Sequence, residues 1–276
     1  MNRELLSLYD STKLAFNSDF NEMHEQARGI ITYGCRKPSQ VSEVVAMRPT
    51  GAICVRGKEE VERLITDLKL KGCSLIVGVD EAGRGPIAGP VVAAAVYMPD
   101  SFPAFDELKD SKVMSAMHRQ RLYKLLRKEA LISIGMASPK EIDKLNIRRA
   151  TLLAMKRAIA KLGIAPDVVL IDGDPIGEMP YRCVWVIKGD EICPPISAAS
   201  IVAKVVRDRW MMRMHKRYPQ YGFDSHKGYA TPMHKLALLK WGPCPIHRLS
   251  FSPVKEALLP KLPCEPSEPS RSNETS

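Results

Sequence analysis

The sequence predicts an α/β fold, a mixed five-stranded sheet flanked by helices, with further helices toward the C-terminus. Three observations favour this class. Short apolar runs typical of buried strands alternate along the chain with longer segments of helical periodicity. The first two runs are separated by a turn containing Gly and Pro, which indicates a hairpin. At 276 residues, of which 45% are apolar, the chain is long enough to bury a sizeable core.

The predicted strands share a short apolar run, and several are bounded by Gly, Pro or charged residues. They are SLIVGVD (74–80), VVAAAVYM (91–98), LISIGMA (131–137), DVVLID (167–172) and CVWVIK (183–188). The hairpin requires antiparallel pairing, whereas strands connected through helices can lie parallel. The order of strands and helices therefore predicts a mixed sheet.

The predicted helices are recognised by apolar spacing and by residues that begin or end a helix. Between Gly57 and Gly72, apolar residues recur at the i, i+3, i+4 and i+7 positions of one helical face. Ser138, followed by a proline and then by Glu141, is typical of a capping box that begins a short helix over 138–145. The other predicted helices cover 115–130, 147–163 and 196–218.

Three segments of different composition divide the chain. Residues 1–73 are weakly periodic apart from a helix near 59–70, and we predict an N-terminal extension of unassigned role. Residues 74–258 contain the strands and are predicted to form the main domain. Residues 259–276 are rich in Pro, Ser and Glu, a composition typical of a disordered tail.

Composition limits the surroundings and partners of the protein. The net charge of +10 favours a polyanionic partner such as nucleic acid. The seven cysteines are odd in number and contain no CxxC pair, which indicates a reducing compartment. No apolar run is long enough to cross a membrane. We therefore expect a soluble monomer in the cytoplasm, and an organelle reached without a typical presequence stays open as an alternative.

Four acidic residues follow the apolar runs. Asp80 and Glu81 end the first strand, Asp172 ends the fourth, and Asp190 follows the fifth. Functional groups collect outside strand ends in open α/β sheets, so we expect these acids to converge. Carboxylates that converge repel one another unless cations neutralise them. Hard cations prefer oxygen ligands and no His/Cys cluster offers softer chemistry, so the sequence predicts a Mg²⁺ or Mn²⁺ site.

The same acids also have structural interpretations. Taken singly, Asp172 and Asp190 suit turns, and the pair of Asp80 and Glu81 suits a solvated strand end. Because side chains alternate along a strand, Asp80 and Glu81 cannot both point to one face of a regular strand. We expect Gly83 to let the backbone turn, so that Glu81 reaches the site through its side chain, its carbonyl or both.

With these acids in order, the sequence resembles the ribonuclease HII family, the type II ribonucleases H. The similarity runs from about residue 74 to 258. Its matching stretches are VGVDEAGRGPIAGPVVAAAV, DSK, EIDKLNIRRATLLAM, LIDGD, KGD, ISAASIVAKVVRD, YPQYGFDSHKGYATPMH and HRLSFSPVK. The resemblance implies a ribonuclease H-like fold and a divalent-metal endonuclease acting on RNA in RNA/DNA hybrid duplexes, including single ribonucleotides embedded in DNA.

The resemblance assigns catalysis to the carboxylates. It implies that Asp80, Glu81, Asp172 and Asp190 are the catalytic and metal-ligating residues of a two-metal site. One metal is expected to activate water and the second to stabilise the leaving 3′ oxygen. Attack on the phosphate at the 5′ side of the ribonucleotide then leaves 3′-hydroxyl and 5′-phosphate ends.

The resemblance also implies how the ribonucleotide is recognised. Gly83, Arg84 and Gly85 resemble the family's loop that contacts the ribose 2′-OH, and Tyr229 resembles the tyrosine that packs on the sugar beyond the junction. Glycines allow close backbone approach, and the 2′-OH separates RNA from DNA. A tight turn and a half-buried loop aromatic are the structural alternatives. Arg84 favours type II, because the related type III enzyme is expected to carry another residue there.

Further residues resemble family positions near the substrate phosphates. These are Lys112, Ser197, Ser200, His226 and Lys227. The chain departs from many relatives at Val113 and Met114, which stand where a lysine and a leucine are common. Two other classes stay open: a non-catalytic duplex-binding protein, and another metal nuclease or phosphotransferase of this fold. Metal-dependent turnover distinguishes the first, and a requirement for the 2′-OH distinguishes the second.

Overall fold

A mixed sheet of six strands lies at the centre of the computed structural model, which describes residues 53–109 and 114–258. The order of the strands across the sheet is β1-β6-β5-β2-β3-β4. The strands are β1 (Ile53–Arg56), β2 (Ile76–Ala82), β3 (Val91–Tyr97), β4 (Leu131–Ala137), β5 (Val168–Asp172) and β6 (Cys183–Ile187). The predicted tail over 259–276 lies outside the described residues.

The sheet has an antiparallel half and a parallel half. Strands β2, β3 and β4 pair antiparallel, which confirms the predicted hairpin. Strands β2, β5, β6 and β1 pair parallel. The carboxyl ends of β2, β5 and β6 therefore meet at one edge of the sheet, where the acidic residues were predicted to converge.

The prediction of five strands was wrong, because β1 adds a sixth at the edge of the sheet beside β6. This strand has four residues, and Val55 is its one buried position. Such a short strand with one buried side chain gives no detectable alternation in the sequence. It lies within the segment predicted as the N-terminal extension, and Val55 packs with residues of β5 and β6.

The predicted helices are confirmed, with small changes at their ends. Ser138 and Glu141 form the expected capping box, in which the Ser138 hydroxyl accepts from the Glu141 amide at 3.3 Å. No helix within the described ranges is long and apolar enough to span a membrane. The helices are α1 (Lys58–Leu70), α2 (Ala116–Glu129), α3 (Pro139–Leu145), α4 (Ile147–Ala160), α5 (Gly189–Ile192), α6 (Pro194–Arg217), α7 (Phe223–His226), α8 (Pro232–Trp241) and α9 (Ser252–Leu258).

Helix α6 lies against the sheet close to the predicted site. Together with α2 it covers one face of β3 and β4, and α4 covers the opposite face. At Gly78 in β2 an added Cβ would lie 2.1 Å from the carbonyl carbon of Pro195, so only glycine permits this approach of the helix. The close packing places the first turns of α6 beside the carboxyl end of β2.

Candidate active site

Three of the predicted aspartates lie together at the carboxyl edge of the parallel strands. Asp80 is in β2 and Asp172 is the last residue of β5, one position beyond the pairing of Val79 with Ile171. Asp190 lies in α5, the short helix that follows β6. Its amide donates to Asp172 Oδ1 at 3.3 Å, which joins the ends of β5 and β6.

Burial and the neighbouring acids make the Asp80 carboxylate costly to ionise. Asp80 is 5% exposed and Asp190 is 3% exposed. Burial raises the pKa of Asp80 well above its usual range, and the Glu81 and Asp172 carboxylates raise it further. A hydrogen bond with the Ser200 side chain partly opposes this rise in the pKa of Asp80. The site therefore concentrates negative charge that a bound cation would stabilise.

Glu81 lies beside the other acids but has a different partner. Strand β2 continues two residues beyond Asp80 to Ala82, so the two acids alternate along a regular strand. Gly83 turns the backbone with φ of +97°, but only after Ala82, so the expectation that this turn brings Glu81 to the site stays a prediction. The Glu81 carboxylate accepts from Arg84 Nη1 at 3.2 Å. Burial raises the pKa of Glu81, and the Arg84 guanidinium partly opposes this rise.

The donor set of the site suits a hard divalent cation. The acidic side chains offer carboxylate oxygens, the ligand type that Mg²⁺ and Mn²⁺ prefer. Within residues 53–109 and 114–258, no three His, Cys, Asp or Glu side chains are placed so that they could hold a metal ion together. After the larger effect of burial, the Glu81 and Asp172 carboxylates nevertheless raise the pKa of Asp80, so these three acids are near neighbours.

The glycine-rich loop and Tyr229 are neighbours in space. A Cβ added to Gly85 would lie 3.5 Å from Cε1 of the Tyr229 ring. Tyr229 is 47% exposed, so this residue is not buried in the core. An open ring face and a glycine loop therefore border the same surface, beside the carboxylates of β2.

The two predicted serines contact the acids from α6. Ser197 is 1% exposed, and its hydroxyl donates to the Asp190 carbonyl at 2.6 Å. Ser200 forms the hydrogen bond with Asp80. Both hydroxyls contact the acids from the α6 side. Because Ser197 is buried, it supports the position of Asp190 without reaching the protein surface. Lys112 lies outside the described residues.

A buried histidine network supports the main chain at Tyr229. The Cys244 amide donates to His247 Nδ1 at 2.9 Å, so the proton of the neutral His247 ring is on Nε2. His247 Nε2 lies 2.9 Å from His234 Nε2 and donates to it. His234 Nδ1 then donates to the Tyr229 carbonyl at 2.8 Å. Burial lowers the pKa of His247 to about 3 and of His234 to about 4, so both rings are neutral at pH 7.

His226 and Lys227, predicted near the phosphates, lie next to this network. His226 is 9% exposed; its Nδ1 accepts from the Gly228 amide at 3.1 Å and its Nε2 bonds to the Tyr221 carbonyl at 2.7 Å. Its ring stacks on His234 with centroids 4.4 Å apart. Lys227 adopts a left-handed backbone conformation and its ammonium donates to the Asp224 carbonyl. His226 therefore supports the loop that carries Tyr229 from the inside.

Two arginines that no sequence pattern singles out, Arg207 and Arg248, are buried beneath the glycine loop. Arg207 occupies a core-facing position of α6, and the apolar residues around it in VVRDRW were the available signal. Arg248 lies in an irregular segment, where no periodicity distinguishes a buried arginine from a solvated one. Their contacts are main-chain carbonyls that are distant in sequence, so pattern alone could not identify them.

The fold and the carboxylate edge together define a nuclease of the ribonuclease H-like class. The sequence profile of the family described as Ribonuclease HII matches residues 77–254. The chain belongs to the ribonuclease HII family, and it is a ribonuclease H endonuclease. This agrees with the assignment to type II made from Arg84.

Relatives and solved structures support the same family. Ribonuclease HII of Albidiferax ferrireducens is 52% identical over 190 residues, covering 68% of this chain and 91% of that protein. Ribonuclease HII of Bordetella pertussis is 52% identical over 183 residues, covering 66% and 90%. Ribonuclease H2 of Pyrococcus horikoshii has a TM-score of 0.57 at 26% identity, covering 66% of this chain and 96% of that one. Bst-RNase HIII in complex with Mn²⁺ shares the fold, with a TM-score of 0.54 at 20% identity over 67% and 69% of the two chains.

Proposed function

We propose that this ribonuclease H requires Mg²⁺ or Mn²⁺, cleaves the RNA strand of RNA/DNA hybrids and cuts 5′ to single ribonucleotides embedded in duplex DNA. The products are 3′-hydroxyl and 5′-phosphate ends, and the role is ribonucleotide removal from DNA. The observation that carries this proposal is the adjacency of two surfaces. The acids Asp80 and Glu81 of β2, Asp172 of β5 and Asp190 of α5, of which Asp80 and Asp190 are buried, lie beside a loop whose Gly85 is next to the exposed Tyr229.

The carboxylates supply the metal ligands in this proposal. Asp80, Glu81, Asp172 and Asp190 would hold the cations, and Glu81 would then have to leave its contact with Arg84. A divalent cation held there would supply an acidified water and a positive charge near the phosphate and the leaving 3′ oxygen. Ser200 orients Asp80, and Ser197 fixes the turn that carries Asp190. No histidine is needed as a general base, and the buried histidines support the loop instead.

The loop and Tyr229 supply the preference for a ribonucleotide. With no side chain at 83 and 85, the backbone of the loop can approach a minor groove closely enough to contact a 2′-OH. The Tyr229 ring packs on the next sugar, where a deoxyribose fits against it. Lys112 remains a predicted phosphate contact. Gly83, Arg84, Gly85 and Tyr229 together select the junction.

The surroundings of the enzyme follow from its chemistry. Its partners are RNA/DNA hybrids and ribonucleotide-containing DNA, and the basic net charge of +10 supports phosphate binding. We place the enzyme in the cytoplasm as a monomer. The described cysteines Cys54, Cys73, Cys183, Cys193 and Cys244 are free thiols, as a reducing compartment requires.

Cleavage mapping tests this proposal. An end-labelled DNA duplex with one ribonucleotide is incubated with the enzyme in Mg²⁺, in Mn²⁺ and in EDTA, beside an all-DNA duplex of the same sequence. We expect a single metal-dependent cut on the 5′ side of the ribonucleotide and none in the control. Equal cutting of both duplexes would indicate a DNA nuclease on this fold, and a cut on the 3′ side would contradict the proposed attack.

A further inference from the structure

Two fully buried arginines lie under the loop that joins β2 to β3. Arg207 is 1% exposed and Arg248 is 0% exposed. Burial lowers the pKa of Arg207 to about 10 and of Arg248 to about 9, so both guanidinium groups keep their charge at neutral pH. Arginine is rarely buried completely, because its charge is costly to remove from water. Their hydrogen bonds explain what offsets this cost.

Arg248 holds both ends of the loop. Its Nη2 donates to the Gly83 carbonyl at 2.5 Å, and its Nη1 donates to the Arg84 carbonyl at 2.9 Å. Its Nε donates to the Gly89 carbonyl at 2.9 Å. One planar group therefore fixes three peptide units of a loop that contains no regular structure over most of its length.

Arg207 connects the same loop to the segment that carries Tyr229. Its Nε donates to the Pro90 carbonyl at 3.2 Å, and its Nη2 donates to the Ala88 carbonyl at 3.2 Å. The same Nη2 donates to the Lys227 carbonyl at 3.0 Å, two residues before Tyr229. A Cβ on Gly83 would lie 2.0 Å from Arg207 Nε, so the guanidinium lies directly against the loop.

We propose that Arg207 and Arg248 are positioning residues for ribonucleotide selection, which set the separation between the Gly83–Gly85 backbone and the Tyr229 ring. This inference rests on the proposed function, because it concerns how the same site recognises its substrate. Loop carbonyls that bond to the guanidinium groups point into the protein. Their orientation determines which other peptide groups of the loop can face a sugar. A fixed distance between the loop and the Tyr229 ring then accepts a ribose at the loop and the next sugar at the ring, in one position along the strand.

The chemistry of guanidinium suits this task better than that of an ammonium group. Arginine presents five donors in a fixed plane, whereas lysine presents one compact charge on a flexible stem. A lysine at position 248 could keep the charge but could not bond the carbonyls of Gly83, Arg84 and Gly89 together. A shift of about 1 Å in a substrate-positioning group can lower a rate by about 100-fold.

The test compares Arg248→Lys and Arg207→Lys with a matched control, Arg157→Lys. Arg157 also donates to a main-chain carbonyl, that of Met136 at 2.7 Å, but it lies on α4 and pairs with Glu141. Steady-state rates are measured on a duplex with one ribonucleotide, and the unfolding temperature of each variant is recorded. We expect kcat of the two loop variants to fall about 10- to 100-fold, with KM within about twofold. The control should keep kcat within about twofold.

Hydrogen exchange of the main chain gives a second readout that does not depend on activity. Amides of residues 83–90 and 227–229 should exchange faster in the two loop variants than in wild type, and those of the control should not. If Arg248→Lys fails to fold, Arg207→Lys carries the same comparison.

The outcomes separate this inference from the function on which it rests. If kcat falls in proportion to the drop in unfolding temperature in all three variants, the positioning role is overturned. It is also overturned if the two loop variants keep the kcat and the amide exchange rates of wild type. If wild type cuts an all-DNA duplex as fast as one that contains a ribonucleotide, the proposed function is overturned instead. In that case exchange alone would decide whether the arginines hold the loop.

Discussion

The buried histidine network should make the protein sensitive to acid, and His247 gives the effect a magnitude. The pKa of His247 falls from 6.5 to about 3 on burial. Above pH 6.5 the ring is neutral in both folded and unfolded chains, so its contribution to stability is complete. As the pH falls below 6.5 the unfolded chain binds a proton that the folded chain does not, and stability decreases. The loss for this one group reaches about 2.7 kcal/mol at pH 4.5, from about 1.36 kcal/mol per pH unit.

The perturbation that isolates this effect is His247→Asn. The Asn side-chain oxygen can accept from the Cys244 amide as Nδ1 does, but it does not titrate. The free energy of unfolding is measured by urea denaturation between pH 7 and 4.5 for wild type and variant. The variant starts less stable at pH 7, and its curve should be flatter below pH 6 by about 1.36 kcal/mol per pH unit.

Tyr221→Phe is the matched control for this experiment. The Tyr221 hydroxyl donates to the Gly242 carbonyl at 2.6 Å, and its ring centroid lies 4.9 Å from that of His247. Loss of this hydrogen bond should cost about 1 kcal/mol at every pH in the range, with the slope unchanged. Parallel curves for wild type and His247→Asn would refute the assignment of a neutral, buried His247.

The other predictions concern catalysis, selection and packing. Because the pKa of Asp80 is raised, its ionisation costs stability as the pH rises above 3.8, so Asp80→Asn should unfold at a higher temperature than wild type in EDTA at pH 7.5. Asp80→Asn should also lose cutting while keeping duplex binding, and Mg²⁺ should raise the unfolding temperature of wild type only. Cutting by the variant at the wild-type rate would contradict the role of Asp80 as a catalytic metal ligand. Tyr229→Ala should keep Mg²⁺-dependent stabilisation but lose preference for the junction, measured as the ratio of rates on ribonucleotide and all-DNA duplexes. Gly78→Ala places a Cβ 2.1 Å from the Pro195 main chain, so it should lower the free energy of unfolding in urea by about 3 kcal/mol or more. A smaller loss would show that α6 can move away from β2.

The strands and the acids could be predicted from sequence because their signals are local. The apolar runs of β2 and β3 have the length of buried strands, and the capping residues Ser138 and Glu141 are three positions apart. Acids that follow parallel strands meet because of sheet geometry, so the strand order alone predicts that Asp80 and Asp172 lie together.

The support beneath the site could not be predicted, because its contacts join residues far apart in sequence. Arg248 bonds to the carbonyl of Gly83, and nothing near Arg248 in the sequence indicates that contact. Strand β1 is too short to show alternation, and its pairing with β6 depends on tertiary structure. Ser197 was expected to face phosphates, yet the packing of α6 turns its hydroxyl to the Asp190 carbonyl. Sequence patterns therefore identify candidate catalytic residues more easily than the residues that hold those candidates in place.

The most direct measurement is a rate comparison at a single 2′ position. Two duplexes that differ only in a 2′-OH or a 2′-H at one nucleotide are incubated with wild type and with Asp190→Asn in Mg²⁺. We expect wild type to cut only the 2′-OH duplex, on its 5′ side, and Asp190→Asn to bind both duplexes and cut neither. Cutting of both duplexes by wild type, or turnover by Asp190→Asn at the wild-type rate, would contradict a carboxylate site that acts on a recognised ribose.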